Sequence, residues 1–268
     1  MNKSKQLTME QIKQIEIDIL KYIDKVCRDN NINYTVIGGT LIGAVRHLGF
    51  IPWDDDIDIA LRREDYNRLK ELFKDNDKYT FLDADNASDY YYPYGKIVDK
   101  NTKLIENGFK EIEQMGVYID VFPLDQVKRN KCKFKIKYLR FLLNLKNCGV
   151  YESKYESNEQ LKYKLSRLIK PFINTRKINN RIINISQKGN DKNYKYEGMI
   201  SIGNGQTKYI FEKQMYDEYI DLPFEQIQIM SVKDYDKYLR QIFGDYMKLP
   251  PKDQQVPKHN FKAYYREK

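Results

Sequence analysis

Residues 36–61 read VIGGTLIGAVRHLGFIPWDDDIDIAL and bring together side-chain types that could handle a phosphate through a metal ion. An apolar run ends in Gly38-Gly39-Thr40, a short amphipathic segment follows, and after Pro52 come Asp54, Asp55, Asp56 and Asp58. On a strand, Asp56 and Asp58 point to one face and Ile57 and Ile59 to the other. Carboxylates at that spacing form a clamp for a hard divalent cation, Mg²⁺ or Mn²⁺. A Gly-Gly turn feeding a helix offers backbone N–H groups to a phosphate. Together they point to metal-assisted chemistry on a nucleotide phosphate. A bare DxD also fits a solvated acidic loop. Here the apolar flanks argue against exposure, and burying a carboxylate without a partner costs roughly several kcal/mol.

Such a transfer also needs a group to receive the proton of an attacking hydroxyl. Asp120, inside the apolar stretch Val117-Tyr118-Ile119-Asp120-Val121-Phe122, is the third carboxylate. It reads as a further metal ligand, against the plainer reading of a strand-end aspartate paired with a lysine, and a nearby metal favours its ionised form. Arg46, His47 and Lys96 are the phosphate-pairing cations, beside Gly38, Gly39 and Thr40. A histidine at a helix C-terminus also fits simple dipole stabilisation. Asp54 lies close to Pro52 and is placed in the turn. Trp53, the single tryptophan, reads as a core anchor. Tyr91, Tyr92 and Tyr94 could cage a quaternary ammonium through cation–π attraction, against the plainer reading of aromatic packing in a turn.

The elements that must hold these residues alternate between helix and strand, an α/β arrangement. Thr8 and Gln11 form a capping box, and Ile12, Ile15, Ile19, Ile23 and Val26 fall at helical spacing to about Arg28. Strands are expected over 34–37, 56–61 and 79–82, with helices over 40–47 and 64–74. Residues 96–98 and 103–106 read as a hairpin, and 117–122 as a strand stopped by Pro123. The pattern then turns helical, with Phe134, Tyr138, Phe141, Leu142 and Leu145 as one apolar stripe and further helices near 159–173 and 178–186. Strand-like pieces return at 199–202 and 219–230, and a helix at 234–243. Residues 1–127, a basic helical insertion over 128–190 and a closing part over 191–268 are the expected divisions.

Length and charge narrow the classes further. The chain has 268 residues and a net charge of +9, 41% hydrophobic content and no apolar run of membrane-spanning length. The N-terminus lacks the apolar core of a signal peptide, and three scattered cysteines fit a reducing cytoplasm. Residues 128–146, KRNKCKFKIKYLRFLLNLK, carry eight basic and no acidic side chains. That stretch suits an anionic partner such as the inner face of a membrane. No recognition-helix or RNA-binding pattern is present, so a basic nucleic-acid module ranks last and no nucleic acid is expected.

GGTLIGAVRHLGFIPWDDDIDIAL, followed by Arg63-Glu64-Asp65-Tyr66, closely resembles the signature of the LicD family, bacterial phosphocholine transferases related to the fukutins. The resemblance continues through KIVDKNT at 96–102, GVYIDVFPLD at 116–125 and, more loosely, YMKLPP at 246–251. It implies a mixed-sheet nucleotidyltransferase-like catalytic core carrying the helical insertion. It also implies that Asp56 and Asp58 are the metal pair, Asp120 the third carboxylate, and Gly38, Gly39 and Thr40 the glycine turn. The spacing from the glycines to the DxD is longer than in simpler nucleotidyltransferases. The cysteine cluster of zinc-bearing fukutin-related proteins is missing, so no structural zinc is expected. The implied activity is transfer of phosphocholine from CDP-choline to a hydroxyl of a cell-surface glycan precursor, of teichoic acid or lipopolysaccharide type, with release of CMP. The acceptor would be anionic or lipid-linked, met at the inner membrane face by a cytoplasmic enzyme. CDP-ribitol, CDP-glycerol or an NTP are the alternative donors. A DxD glycosyltransferase using a nucleotide-sugar fits less well, because of the Gly-Gly turn upstream.

Overall fold

Thr8 stops its helix from fraying at the start: its side chain accepts from Gln11 N, and the Gln11 side chain accepts from Thr8 N, so two orphan amides are satisfied. In the computed structural model, which describes residues 5–152, 169–202, 207–257 and 260–267, helix α1 then runs Met9–Asp29. Its buried face is Ile12, Glu16, Ile19, Leu20, Ile23 and Cys27. The stripe read from sequence is there, with a glutamate set into it.

Strands β1 (Thr35–Val36), β2 (Asp58–Arg62), β3 (Tyr79–Leu82), β4 (Gly95–Asp99) and β6 (Tyr118–Val127) form a mixed sheet in the order β1-β2-β6-β4-β3. Only β2 and β6 are parallel within it; β1–β2, β4–β6 and β3–β4 are antiparallel. Helices α2 (Gly38–His47) and α3 (Arg63–Leu72) bracket β2. The core lies between the sheet, α1 to α3 and a C-terminal hairpin, β9 (Tyr219–Phe224) with β10 (Ile227–Val232). Helix α6 (Tyr235–Phe243) closes that side with Tyr238, Leu239 and Ile242.

Several expected boundaries move. The strand bearing the aspartates begins at Asp58, so Asp56 lies in the approach to it. Helix α2 begins at Gly38, which takes the left-handed φ of +58° that glycine tolerates, instead of at Thr40. The hairpin over 96–106 does not form. β4 pairs with β3 and β6, and β5 (Thr102–Glu106) pairs with β11 (Phe261–Tyr265), a strand not read from the tail. β6 continues through Pro123. It pairs with β4 up to Val121 and with β7 (Tyr196–Gly198) from Asp125, so on that edge residues 122–124 have no ladder partner. Asp120 N donates towards β2, to Ile57 O at 3.0 Å. By alternation the nitrogen of Pro123 faces the opposite edge, where no hydrogen bond is required.

Helix α4 (Arg129–Val150) packs on α5 (Thr175–Gln187), and β7 with β8 (Ile210–Glu212) returns to extend β6. The later strand piece falls at Tyr196–Gly198, not at 199–202. Of the helix read over 159–173, residues 159–168 lie outside the described residues. On α4 the covered face is Cys132, Ile136, Leu139 and Leu142, while Phe134, Tyr138 and Phe141 point outward. Of the stripe read from sequence, Leu142 is buried and Leu145 half-buried, while the aromatic members lie on the outward side. Among the described residues no helix is long and apolar enough to cross a membrane.

Candidate active site

The site is built on a row of paired positions across three strands. Asp58 on β2 stands in register with Asp120 on β6, and Asp120 with Lys96 on β4. Registered neighbours point to the same face of a sheet, so these three side chains meet there. Lys96 is 1% exposed and donates to Asp120 Oδ1 at 2.5 Å. Its ammonium also lies 3.5 Å from the ring centre of Tyr118, 4.5 Å from that of Tyr92 and 5.6 Å from that of Tyr94. A lone buried ammonium would be costly; here a carboxylate and three π faces replace its water.

The start of α2 abuts this row. Thr40 Oγ1 accepts from Asp58 N at 2.9 Å and so ties the helix's first turn to the first residue of β2. A Cβ added to Gly38 would lie 3.1 Å from Asp58 Oδ2, and one on Gly39 would lie 2.1 Å from Asp54 Oδ2. The glycines thus give the carboxylates room against a helix N-terminus, whose amides and dipole favour negative charge. Asp54, Asp55 and Asp56 have carboxylate oxygens within 4.8 Å of one another. Asp54, set aside in the sequence as a turn residue, therefore belongs to the acidic group.

Glu16 is the residue that sequence reasoning missed. It is 3% exposed on the buried face of α1, and its Oε2 has no hydrogen-bond partner among the described residues. Burial, with Asp56 and Asp55 nearby, holds its carboxyl well above the usual range. Asp58 is likewise pushed up by burial and by Asp56, Asp120 and Asp54, with Lys96 opposing. The signal for Glu16 was available: it falls four residues after Ile12 and three before Ile19, in the apolar stripe. A carboxylate-rich set with a buried, orphaned oxygen fits a hard divalent cation. Asp54, Asp55 and Asp56 are close enough together that they could hold one, with Asp58 next along the chain at the start of β2.

Arg46 and His47 sit at the other end of α2, roughly 12 Å along the axis from Gly38 at 1.5 Å per residue. The Arg46 guanidinium donates to Tyr246 O at 2.5 Å and to His47 Nε2 at 2.9 Å. Burial, then the Arg46 charge, draws His47 below its ordinary value, and its ring meets Trp53 edge-on at 6.4 Å. These residues join α2 to the C-terminal segment and are not gathered with the aspartates. Tyr91, Tyr92 and Tyr94 are gathered, but around the protein's own cations. Tyr92 and Tyr94 face Lys96, Tyr91 and Tyr92 face Lys146, and the hydroxyls of Tyr91, Tyr92 and Tyr118 donate to Glu106.

Lys146 gives a pH-dependent prediction. It is buried, donates to Tyr91 O at 2.6 Å, and desolvation draws it down to about 8. An unfolded lysine titrates near 10.4. Between those values the unfolded chain binds the extra proton, so this lysine adds stability as pH rises through that window. The stability of Lys146→Met relative to the parent should therefore fall by up to about 3 kcal/mol between pH 7 and pH 10.5. Parallel urea titrations at the two pH values measure it; an unchanged difference would mean the ammonium is well solvated.

The family described as LicD/FKTN/FKRP, nucleotidyltransferase domain, matches residues 31–142, the segment carrying the glycines, the aspartates, Lys96 and Asp120. Over 267 residues the chain is 30% identical to the lipopolysaccharide cholinephosphotransferase LicD of Haemophilus influenzae, covering 97% of this chain and 99% of that protein. A shorter likeness, 36% over 52 residues, links it to the ribitol 5-phosphate transferase FKRP of Homo sapiens, covering 19% of this chain and 10% of that one. With a relative matched from end to end and the family segment lying over the assembled site, the chain belongs to the LicD family.

Proposed function

We propose that this protein transfers phosphocholine from CDP-choline to a hydroxyl of a cell-surface glycan precursor, of lipopolysaccharide or teichoic acid type, in a metal-dependent reaction. Family membership makes it a phosphotransferase of LicD type. The single observation that carries the finer reading is the Asp58–Asp120–Lys96 row, set against the glycine start of α2 in a chain matched end to end by a cholinephosphotransferase. In the reaction the acceptor oxygen bonds to the choline-bearing phosphorus, the P–O bond to CMP breaks, and CMP leaves with that electron pair. Asp120 takes the hydroxyl proton. Asp56 and Asp58, with Asp120, would hold Mg²⁺ or Mn²⁺, which would neutralise charge on the pyrophosphate. The α2 amides at Gly38, Gly39 and Thr40 receive a phosphate, and Lys96 balances the charge beside Asp120.

The FKRP likeness supports a second reading, the same chemistry with CDP-ribitol as donor. CMP release from CDP-choline, CDP-ribitol, CDP-glycerol and CTP, with Mg²⁺ and with EDTA and an acceptor mixture present, separates the two. Release from CDP-choline that EDTA abolishes is the expected result. Preference for another CDP-alcohol would overturn the donor, and turnover undiminished by EDTA would overturn the metal.

A further inference from the structure

Helix α4 carries two apolar stripes, and the fold covers one of them. Cys132, Ile136, Leu139 and Leu142 are buried against α5 and β6–β8. Phe134 is 78% exposed and Phe141 59%, with Tyr138 between them. At seven residues' separation the two phenylalanines project from the same side, roughly 10 Å apart along the axis. Exposed large aromatics on one helix face are unusual unless something covers them. Lys133, Lys137 and Arg140 are exposed on the same helix.

Beside this stripe lies an open groove of about 810 Å³ between α4 and α5, lined by Lys135, Tyr138, Lys177, Arg181, Asn184 and Lys188. Tyr138 belongs to both features, and the Arg181 guanidinium lies 5.7 Å from its ring centre. No acidic side chain among the described residues lines the groove. Among the described residues, no carboxylate forms an ion pair with Lys133, Lys135, Lys137, Arg140, Lys177, Arg181 or Lys188. Lys135 is spent within the fold, donating to Ser186 O at 3.1 Å and to Lys188 O at 3.0 Å, so the exposed Lys133, Lys137 and Arg140, with Lys177, Arg181 and Lys188, are the cations that face outward.

We propose that this face is a docking surface for an anionic phospholipid bilayer, with Phe134 and Phe141 entering the acyl boundary and the α4–α5 groove receiving lipid phosphates. Charge complementarity selects an anionic partner. The lysine-flanked phenylalanine stripe selects a bilayer over a nucleic acid, because a helix lying in the interface buries its apolar face while its basic flanks meet the head groups. Docking here is independent of the donor assigned above and is read without nucleotide.

The test is flotation of the full chain with vesicles of phosphatidylcholine alone and of phosphatidylcholine mixed with phosphatidylglycerol. Binding to the mixed vesicles only, weakened by salt, is expected. Phe134→Ser with Phe141→Ser should lower it at least ~10-fold, and Lys133→Glu with Lys137→Glu by as much or more. Both pairs are exposed, so melting temperatures should match the parent. No binding to the mixed vesicles overturns the proposal, as does binding insensitive to the phenylalanine pair. Tighter, salt-dependent binding to a single-stranded oligonucleotide would reassign the face to nucleic acid. A dimer in sedimentation that the phenylalanine pair dissolves would reassign it to a second copy of the chain.

Discussion

Asp58→Asn yields a folded protein whose release of CMP falls by ~10³-fold or more; Asp120→Asn loses as much activity but also loses stability, because it leaves the buried Lys96 ammonium without its carboxylate. The size follows from removing a fixed charge from a site where charge placement does most of the work. The fold of Asp58→Asn should hold, because the parent carboxyl at Asp58 is already disfavoured by its burial and by Asp56, Asp120 and Asp54. The neutral amide keeps its shape beside Gly38 and relieves repulsion, so the melting temperature without metal should stay level or rise. Turnover assays beside thermal melts measure both. A variant that retained a tenth of the parent activity would show that Asp58 is not in the chemistry. A variant that lost activity only by unfolding would show it to be structural.

Lys96→Met is expected to destabilise the protein by about 3–5 kcal/mol, the cost of leaving one member of a buried ion pair alone. Lys96 donates to Asp120 and fills the space between Tyr92, Tyr94 and Tyr118. Methionine matches its length but supplies no charge, so Asp120 loses its counter-ion among the other carboxylates. Adding Asp120→Asn should recover most of the stability and none of the activity. Denaturant unfolding of the parent, both single variants and the double variant gives the coupling directly. A coupling below about 0.5 kcal/mol would mean that the tyrosines, and not Asp120, hold the ammonium.

The segment that could do chemistry was legible because its constraints are local: a glycine pair, an acidic run and alternating apolar residues need no tertiary knowledge. Asp120 could be picked out because a charge inside an apolar strand asks for a reason. What could not be read was which strand would lie beside which. Residues 96–106 look like a hairpin, yet Lys96 turns to Asp120 and Thr102–Glu106 turns to the far C-terminus. Tyr91, Tyr92 and Tyr94 look available for a ligand until Lys96 and Lys146 are seen against their rings. On α4 both stripes have helical spacing, and only the position of α5 and the sheet decides between them. Pro123 looked like a stop because its free edge comes from the partner change along β6.

The short strand β1 is sealed by residues from almost the other end of the chain. Met230 N donates to Tyr34 Oη and Val232 N to Thr35 Oγ1, across 196 and 197 positions. During synthesis, therefore, the sheet edge beside the glycine turn stays open until the β9–β10 hairpin has left the ribosome. Until then the unpaired edge is on offer to any neighbouring chain. Contacts of such long sequence separation form slowly. A chain truncated before Ile227 carries every proposed catalytic residue yet lacks the strand that closes the sheet edge beside them.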